Sequence, residues 1–205
     1  FLQKMGQFMR LKTELPESAQ PIIPTNWSEV TTATIAFGHG MAVAPLQAAM
    51  AVAGLVNGGT LIAPTFIKGT NVEQRVLGRD LVKPATSEAL RYLMRLNAEK
   101  GSAKNAAIDG YDVGGKTGSA EKVINGRYAE GRLLTSFMGV VPISQPKYLF
   151  LTMLDEPQAL PETSGYATSG WNAVPTTRTI MMRTLPLLGV QSNRLPGEAA
   201  TKTAN

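Results

Sequence analysis

A chain of 205 residues is long enough for a substantial hydrophobic core, and its 43% hydrophobic and 17% charged residues exclude a disordered or fibrous protein. The net charge of +5 fits an anionic partner, but no dense Lys/Arg cluster indicates nucleic-acid binding. The sequence has no cysteine and one histidine, so it predicts neither a disulfide framework nor a metal or cofactor site, and no apolar run reaches the roughly 18 residues of a membrane-spanning helix.

The first forty residues are predicted to begin with a short helix and to continue as a loop. Apolar residues at helical spacing indicate an amphipathic helix over Phe1–Leu11. Three prolines and several polar residues indicate a loop over residues 13–32. His39 lies between two glycines with no His, Cys or carboxylate near it in sequence, so we interpret it as a loop residue rather than a proton shuttle.

Two helices are predicted in the next sixty residues. Pro45 suits the first turn of a helix, and Asn57-Gly58-Gly59 supplies its stop signal. The second helix is predicted over Pro84–Lys100, and a short edge strand over residues 60–68 precedes it. The faces expected to be buried comprise Leu46, Ala49, Met50, Ala53 and Val56 in the first helix and Ala89, Leu90, Leu93, Met94 and Asn97 in the second.

Three sequential antiparallel strands are predicted after the second helix. The first is Asp112–Lys122, and a polar loop over residues 123–131 follows it. Apolar runs at residues 133–141 and 148–154, separated by turn residues, predict a hairpin buried on both faces. A last helix is predicted from Pro175 to about Gly189, with Ile180, Met181, Thr184 and Leu185 facing inward, and a flexible tail is expected over residues 191–205.

The strand Asp112–Lys122 carries the candidate binding site. Its three glycines would weaken an ordinary strand, unless another backbone or a ligand has to come close. The cation Lys116 stands between small residues and near the hydroxyls of Thr117 and Ser119. Such an open, polar edge suits an anionic ligand. The tripeptide Lys-Thr-Gly is a weak signal alone, but it is one of three short motifs shared by penicillin-binding proteins and serine β-lactamases.

Four features follow one another along the chain. They are Phe37-Gly38-His39-Gly40 with Val43-Ala44-Pro45-Leu46-Gln47, then Asn57-Gly58-Gly59, then the segment from Gly114-Gly115-Lys116-Thr117-Gly118-Ser119 to Lys122, and last the hairpin from Ser136-Phe137-Met138-Gly139 to Asp155-Glu156-Pro157. In this order they resemble class B penicillin-binding proteins, the monofunctional peptidoglycan transpeptidases. The resemblance covers residues 1–190 and is strongest to the septal, cell-division members of Gram-negative bacteria.

This resemblance implies an α+β fold with an antiparallel five-stranded sheet flanked by helices, of which residues 1–190 would be the C-terminal portion. It also implies that a serine attacks the penultimate D-Ala carbonyl of a peptidoglycan stem peptide, and that the amine of a neighbouring peptide resolves the acyl-enzyme. β-Lactams would trap this intermediate. The partners implied are stem peptides ending in D-Ala-D-Ala, β-lactam antibiotics and divisome proteins, at the periplasmic face of the bacterial inner membrane.

The resemblance also assigns roles to four residues. Lys116 would help to hold the terminal carboxylate of the substrate, and the Thr117 hydroxyl would donate a hydrogen bond to it. Gly118 would leave room for the ligand, which would lie along the strand as an added strand. The Ser119 backbone N–H would supply half of the oxyanion hole, a donor that typically lowers the barrier by roughly 3–4 kcal/mol.

Two motifs of the family are absent in usable form. The family needs S-x-x-K at the start of a helix, where the lysine helps to activate the serine. Ser119–Lys122 fits by letter but lies inside the predicted strand, and Ser144–Lys147 fits but lies in a predicted turn. No Ser-x-Asn occurs. We therefore expect the nucleophile, the second motif and any membrane anchor in an upstream part of a longer protein, and this segment alone to be inactive.

Two other interpretations remain open at this stage. The segment could belong to a non-catalytic module that kept the fold for binding a peptide or a divisome partner. It could also belong to a D,D-carboxypeptidase or a serine β-lactamase, which share the Lys-Thr-Gly strand. The surroundings of Phe37-Gly38-His39-Gly40 and Asp155-Glu156-Pro157 favour a class B protein over the latter.

Overall fold

The computed structural model describes residues 1–193, so most of the predicted tail, residues 194–205, lies outside the described residues. The chain divides into two compact units, one of residues 1–90 and one that begins at Arg91. Helices and antiparallel sheets occur together, which confirms the predicted α+β class. Within residues 1–193 no helix is both long enough and apolar enough to cross a membrane.

The first unit contains two helices and a small two-stranded sheet. Helix α1 is Glu29–Ala36, helix α2 is Pro45–Val56, and strand β1 (Leu61–Ile62) pairs antiparallel with β2 (Val76–Gly78). The predicted bounds of α2 are confirmed. The helix predicted over Phe1–Leu11 is wrong, because that segment forms hydrogen-bonded turns instead.

Helix α1 was not predicted, since its residues fell largely inside the predicted loop. It begins at Ser28, whose side chain accepts a hydrogen bond from the Thr31 N–H, a standard N-terminal cap. His39 follows this helix in a loop, as predicted, with its ring 6.3 Å from that of Phe37.

The core of the first unit is a small cluster that contains Met50 and Ala51 of α2 together with Met5, Leu11, Leu61 and Leu81. The buried face of α2 is therefore rotated from the predicted one. Gln47 and Gly54 are buried, whereas Leu46 is 37% exposed. The error arose because apolar residues were assigned inward, although a buried amide and a glycine occupy two of the inward positions.

Helix α3 (Pro84–Lys100) carries the chain from the first unit into the second, and its predicted bounds are confirmed. The face of the helix that was predicted to be buried is not confirmed. Ser87 and Ala98 are the buried positions, while Leu93 is 56% exposed. The prediction used apolar spacing alone, which cannot show whether a neighbouring element covers the apolar face.

The second unit is built on the three-stranded sheet β3 (Gly114–Ile124), β4 (Arg127–Val141) and β5 (Tyr148–Asp155), in that order and all antiparallel. This confirms the three predicted strands. The polar loop predicted over residues 123–131 is wrong. Strands β3 and β4 instead extend to a two-residue turn at Asn125-Gly126, where both residues have positive φ. Asparagine and glycine tolerate that conformation, which matches the twist of a tight hairpin.

Helix α4 (Ala173–Thr184) packs against β4 and β5 and closes the core of the second unit. Met181 and Leu185 are fully buried beside Phe137 of β4, as the sequence predicted for the two helix residues. Ile180, predicted to face inward, is 40% exposed. This packing fixes the sheet from one face and so fixes the position of β3.

Candidate functional site

Strand β3 has one edge paired with β4, and the direction of its backbone groups can be read from three hydrogen bonds. At the paired edge the Ile143 N–H donates to the Asp112 carbonyl at 2.7 Å. On the other side, Gly115 O accepts from Asn97 Nδ2 at 2.9 Å, and Thr117 O accepts from Lys116 Nζ at 2.7 Å.

Backbone direction alternates along a strand of an antiparallel ladder, and the N–H and C=O of one residue point the same way. The even-numbered residues of this stretch therefore pair with β4. Gly115, Thr117 and Ser119 direct their backbone groups away from it. The Ser119 N–H consequently points toward the outer edge, where an added strand or an oxyanion could accept its hydrogen bond.

A cleft of about 580 Å³ lies beside this outer edge. Among residues 1–193, the charged residues that line it are the three lysines Lys100, Lys104 and Lys116, without any carboxylate. The remaining walls come from β3, from the turn after α3 and from the 3₁₀ turn Ser169–Trp171, mostly through small hydroxyl residues. An excess of positive charge in a concave site raises the local concentration of anions. The cleft is thus suited to a carboxylate-bearing ligand.

Lys116 is exposed, and its ammonium donates to the carbonyl of the next residue, Thr117. In the part of the chain that the structure describes, no carboxylate lies within salt-bridge distance of it. Its charge is therefore not neutralised by the protein in residues 1–193.

The Thr117 hydroxyl belongs to a hydrogen-bonded chain that sequence reasoning missed. Its Oγ1 lies 2.8 Å from Ser102 Oγ, and Ser102 Oγ lies 3.2 Å from Asn97 Oδ1. Asn97 had been assigned only to an apolar face of α3. The three residues are up to 20 positions apart, so no local motif could have linked them.

The Ser119 side chain fixes a neighbouring loop to the strand. Its Oγ accepts a hydrogen bond of 3.0 Å from the Ser169 N–H, and Ser169 Oγ donates to Ser136 O at 2.6 Å. Ser169 is fully buried, whereas its neighbour Trp171 lines the cleft and stacks on Tyr166 with ring centroids 5.6 Å apart. Sequence reasoning missed this loop as a wall of the site.

A side chain at Gly115 or Gly118 of β3 would meet atoms of β4. A Cβ on Gly115 would lie 2.3 Å from Phe137 Cζ and 2.6 Å from Met138 O, so any larger residue would displace the core. At Gly118 the corresponding contact is Ser136 Oγ at 2.6 Å. Gly118 therefore allows β3 and β4 to approach each other closely, independently of any ligand.

Lys122 is engaged elsewhere, which supports the rejection of Ser119–Lys122 as a nucleophile motif. Its ammonium lies 2.8 Å from a carboxylate oxygen of Asp155 and 2.8 Å from one of Glu156. Hydrogen bonds to Asp155 and then Glu156 raise the pKa of Lys122, and the bond from Lys122 is the main cause that lowers the pKa of Glu156. Arg132 adds a further pair to Glu156 at 3.0 Å.

The second S-x-x-K sequence, Ser144–Lys147, lies in the turn between β4 and β5. The Ser144 backbone N–H donates to Asp112 Oδ2 at 2.9 Å, so the segment is held as a turn rather than as a helix start. Neither S-x-x-K match begins a helix within residues 1–193.

Comparisons with known proteins agree on one family. The family model of the penicillin binding protein transpeptidase domain matches residues 1–182. The chain is 36% identical over 200 residues to a "Probable peptidoglycan D,D-transpeptidase FtsI" of Caulobacter vibrioides, covering 93% of this chain and 34% of that protein. It is 32% identical over 206 residues to a "Probable peptidoglycan D,D-transpeptidase PenA" of Neisseria meningitidis, covering 99% of this chain and 34% of that protein.

A solved structure gives the same result for the fold. The apo transpeptidase domain of penicillin-binding protein 3 from Burkholderia pseudomallei superposes with a TM-score of 0.81 at 29% identity, covering 95% of this chain and 58% of that one. The chain thus spans about a third of the length of the curated relatives that it matches.

Proposed function

The chain belongs to the penicillin-binding protein transpeptidase domain family, and we propose that it forms one wall of the active site of a peptidoglycan D,D-transpeptidase. The observation that carries this proposal is the outer edge of β3 beside a cleft that, in the described part of the chain, is lined by three lysines and by no carboxylate. A peptide that ends in a free carboxylate matches both features. Its backbone can pair with the strand, and its terminal charge can face the lysines.

Lys116 and Thr117 would bind the terminal carboxylate. A charge-assisted hydrogen bond is worth about twice a neutral one, and Lys116 has no competing carboxylate among the described residues. Thr117 presents its hydroxyl to the same cleft. Gly118, between them and Ser119, would let the ligand approach the strand closely.

The Ser119 N–H would stabilise the oxyanion that develops when the carbonyl next to the terminal residue is attacked. It points toward the outer edge, as the hydrogen bonds of Gly115 and Thr117 indicate. The attacking serine and its lysine would come from another part of the protein. The attack would break the peptide bond to the terminal residue, which would leave as a free amino acid, and would form an acyl-serine ester. Water or the amine of a second stem peptide would then attack this ester and release the serine, and attack by the amine would form the cross-link.

Further parts of the proposal concern the whole protein. We propose that residues 1–190 form a portion of its transpeptidase domain, that β-lactams acylate it, and that it acts in septal cell-wall synthesis with divisome proteins at the periplasmic face of the inner membrane. The similarity to proteins of this family, including probable peptidoglycan D,D-transpeptidases, supports peptidoglycan cross-linking and penicillin binding.

The test uses the complete natural protein that contains these residues. Incubation with benzylpenicillin should add one penicilloyl group, and peptide mapping should locate it on a serine outside Ser119 and Ser144. Incubation with stem peptides should yield cross-linked dimers. A modification on Ser119 or Ser144, or a protein that binds stem peptides without acylation, would contradict the proposal, and the second result would indicate a non-catalytic module.

A further inference from the structure

The Thr117 hydroxyl lies at one end of a hydrogen-bonded chain whose hydrogens can be counted. Thr117 Oγ1 is 2.8 Å from Ser102 Oγ, which is 3.2 Å from Asn97 Oδ1. Each hydroxyl has one hydrogen to donate, and the amide oxygen has none. Two hydrogens therefore serve two contacts when no ligand is present.

Asn97 fixes the direction of this chain. Its Nδ2 donates to Gly115 O at 2.9 Å, which leaves Oδ1 facing Ser102 as a pure acceptor. For the 3.2 Å contact to be a hydrogen bond, Ser102 has to donate to Asn97, and Thr117 then has to donate to Ser102. In this arrangement the Thr117 hydrogen points away from the ligand.

A carboxylate in the cleft would need that same hydrogen. We propose that Ser102 and Asn97 are positioning residues, and that both hydroxyl hydrogens reverse direction when a carboxylate-bearing ligand binds. Thr117 then donates to the carboxylate, and Ser102 turns its hydrogen from Asn97 to Thr117 Oγ1. This inference rests on the proposed function, because it takes the ligand to be the one that Thr117 binds.

The exchange is favourable on the distances observed. It gives up the Ser102–Asn97 contact, which at 3.2 Å is the longer of the two, and keeps the 2.8 Å contact with its direction reversed. The bond gained has an ionised acceptor and is the stronger kind. A donor at Thr117 Oγ1 also polarises the Thr117 hydroxyl, which strengthens its bond to the carboxylate. Ser102 thus assists a ligand that it does not have to touch.

The experiment measures second-order acylation rates in the complete natural protein, with benzylpenicillin and with its methyl ester, which lacks the charge. Ser102→Ala should slow acylation by the acid about five- to tenfold, the effect of one lost hydrogen bond in such a chain. It should change acylation by the ester less than about twofold. Ser102→Thr, which keeps the hydroxyl, should restore the rate with the acid. Ser144→Ala is the matched control, because Ser144 is exposed in a turn and should have no effect.

A second measurement repeats Ser102→Ala in a Thr117→Val background, where the switch has no hydroxyl to act on. The effect of Ser102→Ala should then fall below about twofold. An equal loss with acid and ester, or a loss that persists beside Thr117→Val, would overturn the switch. The proposed function fails separately, if the unmodified protein is not acylated by benzylpenicillin at all.

Discussion

Lys116 and Lys122 lie six residues apart on the same strand and have opposite surroundings. Lys122 contacts two carboxylates, those of Asp155 and Glu156, at 2.8 Å each. Lys116 donates to a neutral backbone carbonyl and lines a cleft to which the described residues contribute no acidic side chain. The ion pairs hold the far end of β3 to the end of β5, whereas the other end of β3 leaves its charge available to a ligand.

This difference explains why the S-x-x-K sequence in β3 is not a nucleophile motif. Ser119–Lys122 satisfies S-x-x-K, but its lysine is committed to an ion-pair network that steadies a hairpin. Lys116, by contrast, has no carboxylate partner among residues 1–193. For a charged residue, the partners that the fold provides decide between a structural and a binding role.

The largest expected effect is a test of this comparison. Lys116→Ala in the complete protein should slow acylation by benzylpenicillin about a hundredfold, since a hydrogen bond to a charged group is worth about 1.5–3 kcal/mol. The melting temperature should stay the same, because Lys116 has no ion pair to lose within the described residues. Second-order acylation rates and calorimetry measure the two quantities.

Lys122→Ala is the matched control on the same strand. It should leave the acylation rate within about twofold and should lower the melting temperature slightly, because exposed ion pairs contribute little to stability. If both variants slowed acylation equally, the contrast between the two lysines would be lost.

A smaller effect is expected from the glycines between the strands. Gly115→Ala places a Cβ against the ring of Phe137 and the carbonyl of Met138, and should destabilise the protein by about 1–3 kcal/mol. Gly118→Ala contacts only the Ser136 hydroxyl, which can rotate, and should cost less than about 1 kcal/mol. Denaturant unfolding of both variants measures the difference in stability. Equal losses of unfolding free energy would show that the two glycine positions are packed equally tightly.

The smallest expected effect is a pH dependence of the Lys122 network. The pKa of Glu156 is lowered below its ordinary 4.5, so its contribution to stability is present above pH 4.5 and is lost as the pH falls through the lowered value. The pKa of Lys122 is raised above 10.5, so its contribution is present below pH 10.5 and is lost above the raised value. Melting temperatures of wild type and Lys122→Gln should converge below pH 4.5. A constant difference down to pH 2 would contradict the network.

Many helices and strands could be predicted because the sequence signals that define them are local. Apolar runs of strand length, a cation between glycines and a proline in the first helical turn each identified the right element. Two local signals were present but were underused. Asn125-Gly126 is a strong hairpin turn, and Ser28 can cap a helix even though the β-branched residues that follow it have modest helix propensity.

The remaining features depend on contacts between distant positions. Ser169 reaches Ser119 across 50 residues, and Ser102 reaches Thr117 across 15, through hydroxyls that have no pattern of their own in the sequence. The wrong prediction of the buried face of α3 has the same cause, because helical spacing identifies an apolar face without identifying which element covers it. Four candidate site residues could thus be named from the sequence, but the groups that contact them in the structure could not.

The bond from Asn97 to Gly115 also limits which part of a polymer the strand can accept. It occupies one outward carbonyl of β3 with a side chain, while the outward groups of Thr117 and Ser119 follow directly along the edge. In the proposed function, a peptide that pairs with this edge would have to stop before Gly115, since the amide of Asn97 stands where its next residue would bind. The edge would then select a chain end over a chain interior through a blocked backbone position, before any charge is recognised.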